Sequence, residues 1–119
     1  MKYIALIYAA ESTEPPPVFG TKEFAEFMAP WDAVTKVFEE GGVMLGGDAL
    51  QPSTMATTLK VRNDKIETID GPFVETKEQL AGYYLLDCKD LDVAIKYASM
   101  IPSAKDGAVE VRPLACFDG

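Results

Sequence analysis

One short segment concentrates groups able to do chemistry. Asp70-Gly71-Pro72-Phe73 leads through Val74, Glu75, Thr76, Lys77, Glu78, Gln79 and Leu80 into the apolar run Ala81-Gly82-Tyr83-Tyr84-Leu85-Leu86. Loops held by rigid elements are where binding and catalytic groups concentrate. A carboxylate at Asp70, half-buried beside Phe73, would be pushed towards its neutral form by desolvation, which suits a general acid or base. The competing reading is a turn aspartate that accepts backbone N–H bonds. Glu75 and Glu78 are candidates for a second carboxylate beside Asp70, or for a solvated loop face. Phe73 fits a core anchor better than a ligand-stacking ring. Lys77 and Arg112 are the candidate anion holders, and Arg suits bidentate carboxylate contact. Glu110 and Arg112 share a strand face, so a cross-strand or inter-subunit ion pair is an equal reading. Tyr8, Tyr83 and Tyr84 are candidates to place a hydroxyl in a pocket. The candidate site is thus Asp70 as acid–base group, with Phe73, Glu75, Lys77, Tyr83 and Arg112 as ligand contacts.

Composition excludes several alternatives. The chain has 119 residues and no His, which removes the commonest general base and metal ligand together. Ser-His-Asp, Cys-His and HExxH chemistry are ruled out. Asp48 follows Gly46-Gly47, but its neighbours lack metal-ligand spacing, so no metal site and no cofactor are expected. Gly46-Gly47 belongs to no phosphate-binding loop. The net charge is −8, with two arginines, which argues against nucleic acid and an anionic membrane surface. Cys88 and Cys116 are expected as free, unactivated thiols. The opening apolar run is too short for a membrane span and lacks a signal-peptide cleavage pattern. A cytoplasmic protein is expected.

Stepping along the chain gives the elements that must hold these groups. Residues 2–9 read as a strand buried on both faces. Residues 10–20 carry three consecutive prolines and form an extended loop. Thr21 caps a helix whose apolar stripe is Phe24, Phe27, Met28, Trp31, Val34, Val37 and Phe38. That stripe reads as core or dimer packing in preference to a ligand wall. Pro30 must kink this helix or start a second one. Gly41-Gly42 stops it. Residues 43–50 form a strand whose glycine pair predicts a bulge or a close backbone approach. Residues 55–62 and 65–69 form a hairpin around Asn63-Asp64. Residues 82–88 are a strand. Asp90 caps a helix carrying Leu91, Ala94, Ile95 and Ala98 that ends near Ile101-Pro102. Residues 109–112 alternate as a final strand.

The order is β-α-β, a hairpin, then β-α-β. Without the hairpin this is an α+β, ferredoxin-like split βαβ pattern in one domain, residues 1–119. Two helices cover one sheet face. Residues 3–8 and 83–86 are apolar on both faces, so the open face needs a cover. A second copy is the simplest one, giving a homodimer with facing sheets, a dimeric α/β-barrel.

Three stretches carry a resemblance. They are Asp70-Gly71-Pro72-Phe73 with the following residues to Tyr84, Val109-Glu110-Val111-Arg112-Pro113, and Gly46-Gly47-Asp48-Ala49-Leu50-Gln51-Pro52. With the opening Met1-Lys2-Tyr3-Ile4-Ala5-Leu6-Ile7-Tyr8 they resemble the YCII-related, DGPF-domain family over essentially the whole chain. The resemblance implies a small, dimeric, ferredoxin-like, usually bacterial protein of unknown function. Members are often encoded beside extracytoplasmic-function sigma factors. Some YCII-type members carry a His and an Asp that suggest an active site. Asp70 matches that aspartate by position, and the histidine has no counterpart here.

Two functions compete. One is small-molecule binding in a dimer pocket lined by the 70–78 loop, with or without weak acid–base enzymatic activity. The other is a regulatory protein partner linked to a sigma factor.

Overall fold

The computed structural model describes residues 1–117. Six strands and two helices follow in the order β1 (Lys2–Ala10), α1 (Lys22–Glu40), β2 (Met44–Ala49), β3 (Thr57–Arg62), β4 (Lys65–Asp70), β5 (Glu78–Asp87), α2 (Leu91–Ala98) and β6 (Ala108–Pro113). The main sheet has the order β2-β5-β1-β6, and β3 and β4 form a separate two-stranded sheet. Every pairing is antiparallel. This α+β arrangement is compatible with a ferredoxin-like fold carrying an inserted hairpin, as the element order predicts.

Alternation along the two central strands decides what is buried. Tyr3, Ala5 and Ile7 of β1 face Leu86, Tyr84 and Gly82 of β5 in register. All six are buried. Val34 and Phe38 of α1 and Ala94 and Ala98 of α2 close over five of them, together with Val43, Cys88 and Ile101, as one apolar cluster. Phe38 packs edge-on against the rings of Tyr84, at 5.0 Å, and Tyr97, at 5.8 Å. The other sheet face carries Ile4, Leu6, Tyr8, Tyr83 and Leu85, each half-buried within one chain. Two cysteines are free, Cys88 buried and Cys116 exposed, as expected. Burial pushes the Cys88 thiol up, and the neighbouring Asp87 carboxylate adds to the effect.

Local signals account for the helix ends. Thr21 Oγ1 accepts the Phe24 N–H at 3.2 Å, and Asp90 Oδ1 accepts the Val93 N–H at 3.0 Å. After α1, the Gly42 N–H reaches the Glu39 carbonyl and the Val43 N–H the Phe38 carbonyl, both at 3.1 Å. Gly42 has φ +70°, the left-handed residue that this helix stop requires.

One alternative is decided and three expectations are corrected. The helix passes through Pro30 as one element, so no second helix starts there. Pro30 and Glu26 are both exposed, and water can serve the carbonyl that the missing N–H leaves free. Strand β5 begins at Glu78 instead of residue 82, because residues 78–80 continue the pairing onto Tyr8, Ala9 and Ala10 past a bulge. Residues 53–55 form a short 3-10 turn ahead of the hairpin instead of its first residues. Helix α2 ends at Ala98 instead of near Ile101-Pro102, with Ala94 and Ala98 buried and Leu91 and Ile95 exposed. Asn63 and Asp64 do form the hairpin turn, with φ of 52° and 61°.

Removing the Asp90 cap by Asp90→Ala is expected to lower stability by about 1 kcal/mol. Urea unfolding followed by circular dichroism checks this, with an unchanged m-value expected.

Candidate functional site

A cavity of about 410 Å³ lies between α1 and the β2–β5 side of the sheet. Its roof is one stripe of α1: Phe27, Met28, Trp31, Asp32 and Thr35. The floor is made of small residues: Gly47, Ala49, Ala81 and Gly82, with Ile7 and Met44. The two glycines are required by backbone proximity. A Cβ on Gly47 would stand 2.6 Å from the Tyr83 carbonyl oxygen, and one on Gly82 2.8 Å from that of Asp48. The strands therefore approach closely where no side chain rises towards the helix, and the space below Trp31 stays open. The glycine pair also carries the predicted bulge, between Met44 and Gly46.

Polar groups are few. Thr35 Oγ1 and Tyr84 Oη are hydrogen-bonded at 3.0 Å and part-buried. Tyr83 Oη donates to Asp48 Oδ2 at 3.3 Å across the β2–β5 pair. Asp32 is exposed on α1. Tyr83 and Asp48 are paired in register and direct these side chains to the sheet face away from α1, so the wall is apolar with one hydroxyl pair and one carboxylate, Asp32, at its rim. A mostly apolar pocket with a few convergent polar groups is the usual form of a small-molecule site. No group of three or more potential metal-ligating side chains occurs among the described residues.

Of the residues singled out in the sequence, Tyr84 and the α1 residues Phe27, Met28 and Trp31 line this cavity, Tyr83 and Asp48 border it, and Asp70, Phe73, Glu75, Lys77 and Arg112 do not. Asp70, Phe73, Glu75 and Lys77 are all exposed. Asp70 therefore lacks, within one chain, the half-burial that the acid–base argument requires. Phe73 is no core anchor: it is 72% exposed, with Lys60 Nζ 5.2 Å from its ring centre. Arg112 is exposed and pairs with Glu110 Oε2 at 2.5 Å along its own strand, in place of the cross-strand or inter-subunit ion pair expected as the alternative.

The loop is nonetheless built. Gly71 has φ +103°, a conformation reserved for glycine, where the following proline predicts an extended residue. Its N–H donates to the Ala56 carbonyl at 2.7 Å, and Thr58 Oγ1 donates to the Gly71 carbonyl at 2.8 Å. The Gly71-Pro72 bond is trans, since no described peptide bond is cis. Gln79 Nε2 donates to the carbonyls of Thr76, at 3.0 Å, and Val74, at 3.4 Å. Glu78 is partly buried, and its Oε2 is buried without a hydrogen-bond partner.

Sequence reasoning passed over Thr35 and Asp32. The available signal was a hydroxyl four residues after Trp31, inside the apolar helical stripe. Trp31 is half-buried, packing on the core and lining the cavity at once.

These features define a small α+β protein with an antiparallel sheet, two helices and a helix-roofed cavity. The YCII-related domain model matches residues 1–118, and the chain belongs to that family. It is also 38% identical over 119 residues to an uncharacterised protein of Rhizobium meliloti (strain 1021), covering 98% of this chain and 94% of that protein. No described helix is long and apolar enough to cross a membrane.

A separate contact ties the proline-rich loop to the base of the hairpin. Glu11 Oε2 accepts the Ser53 N–H at 2.6 Å, and Oε1 accepts the Ser53 hydroxyl. The hydroxyl bond, then the backbone one, holds the Glu11 carboxyl below its ordinary value of 4.5. A depressed folded pKa means this contribution to stability is present above that ordinary value and is lost as pH falls through the folded one. Glu11→Gln is expected to lower the Tm at pH 7, with the difference from the native protein shrinking as pH falls below about 4.5. Thermal melts across pH 3–7 check the sign.

Proposed function

We propose that this protein binds a small, neutral or cationic, mostly apolar molecule in the cavity below Trp31. The observation that carries this is the Thr35–Tyr84 hydroxyl pair set in an otherwise apolar wall. Such a pair can accept from and donate to one hydroxyl, carbonyl or amine, while the walls take the apolar remainder. Asp32, on a chain of net charge −8, disfavours an anion. Any proton transfer here falls to Asp32 or Tyr84, because the chain has no His. Asp70 joins a site only by meeting another copy of the chain.

A homodimer is the second part of the reading. Ile4, Leu6, Tyr83 and Leu85 leave an apolar sheet face that the helices do not reach. Facing a second such sheet removes it from water. A sigma-factor partner has no comparable support in the geometry.

A thermal-shift panel of neutral phenols, alcohols, amines and carboxylic acids tests the pocket. Neutral or cationic members are expected to raise the Tm, and Thr35→Val to weaken their binding up to about tenfold, the equivalent of one hydrogen bond. Equal binding by Thr35→Val, or a preference for carboxylates, contradicts the assignment.

A further inference from the structure

The β3–β4 hairpin is the least explained element of the fold. It pairs with no strand of the main sheet. The chain has a radius of gyration of 16.6 Å, where a compact chain of this length has about 13–14 Å. An isolated two-stranded hairpin is at best marginally stable in water. This one also exposes an apolar face. In register, Val61 opposes Ile66 and Leu59 opposes Thr68. Leu59, Val61 and Ile66 are 62%, 54% and 71% exposed. Phe73 and Val74, just beyond its base, are exposed as well.

We propose that this hairpin is an arm that docks on a second copy of the chain, carrying the 70–78 loop to the partner. Three observations favour a copy of this chain over another occupant. First, the apolar sheet face carrying Ile4, Leu6 and Leu85 is uncovered on every copy, so two faces meet under twofold symmetry and each arm, outside the main sheet, is left to reach the partner beside that contact. Second, charge is complementary. Between residues 57 and 70 the bases Lys60, Arg62 and Lys65 balance the acids Asp64, Glu67 and Asp70, so the whole −8 lies on the remainder of the chain. Arg62 and Lys65 stand opposite each other at the tip. That positive end suits an acidic body. Third, the size fits. One ribbon face measures roughly 20 Å by 10 Å. Two arms then cover on the order of half of the ~1,600 Å² of a stable interface, and the sheet faces supply the rest.

The arm gives the 70–78 loop a role that its own chain does not. Gly71 and Thr58 fix the loop to the arm, so Asp70, Phe73, Glu75 and Lys77 travel with it. Against the partner, Phe73 and Val74 lose the water that surrounds them in one chain. The inference rests on the sheet-face dimer proposed above and is independent of the pocket reading.

The test is the self-association of the full chain by analytical ultracentrifugation, with hydrogen exchange beside it. Val61→Lys with Ile66→Glu replaces the apolar pair by an opposite-charge pair that preserves the hairpin. The native protein is expected to be a dimer at micromolar concentration, and this variant to dissociate at least tenfold more readily. Amides of residues 57–70 in the native protein are expected to gain protection as concentration rises. A native chain that stays monomeric overturns the arm and the dimer together. A dimer unchanged by the arm variant but broken by Leu6→Glu overturns the arm alone. Ligand binding retained by the monomeric variant separates either failure from the pocket.

Discussion

The register of β1 on β5 is the constraint on which the rest depends. It places Tyr3, Ala5 and Ile7 opposite Leu86, Tyr84 and Gly82, all towards the helices. A slip of one residue would turn every one of them to the other face. The same register sets Tyr84 under Phe38 and within reach of Thr35, so packing and candidate chemistry share one cause. It also aligns Gly82 beside β2, where Gly47 permits the close approach that leaves the cavity open.

Much of this was legible in the residues. The period-2 and helical patterns, the caps Thr21 and Asp90, the Asn63-Asp64 turn and the glycine bulge are local signals, and local signals survive folding. The whole-chain resemblance named the family that the domain match then showed. The start of β5 was not legible, because residues 78–80 gain their strand from β1 and not from their own propensity. At Pro30 the residues left a kinked helix and a second helix both open, and one helix continues where that turn faces water.

The site was harder to read for a physical reason. Reasoning from motif density points to Asp70 and its charged neighbours, which are exposed in one chain. The cavity owes its existence to side chains that are missing, at Gly47 and Gly82, and to one hydroxyl at helical spacing from Trp31. Absent volume leaves little trace in composition. The two regions also answer to different partners. The cavity is complete within one chain, whereas the hairpin and its loop present apolar surface with nothing of their own to bury it against.

The most direct measurement is a two-dimensional amide NMR titration with phenol, which joins an apolar ring to one hydroxyl. Shifts concentrated at the Trp31 indole N–H and the amides of Thr35, Gly47 and Tyr84, with residues 57–70 unmoved, are the result this account predicts. Shifts confined to the hairpin or the outer sheet face, or none at millimolar phenol, would contradict it.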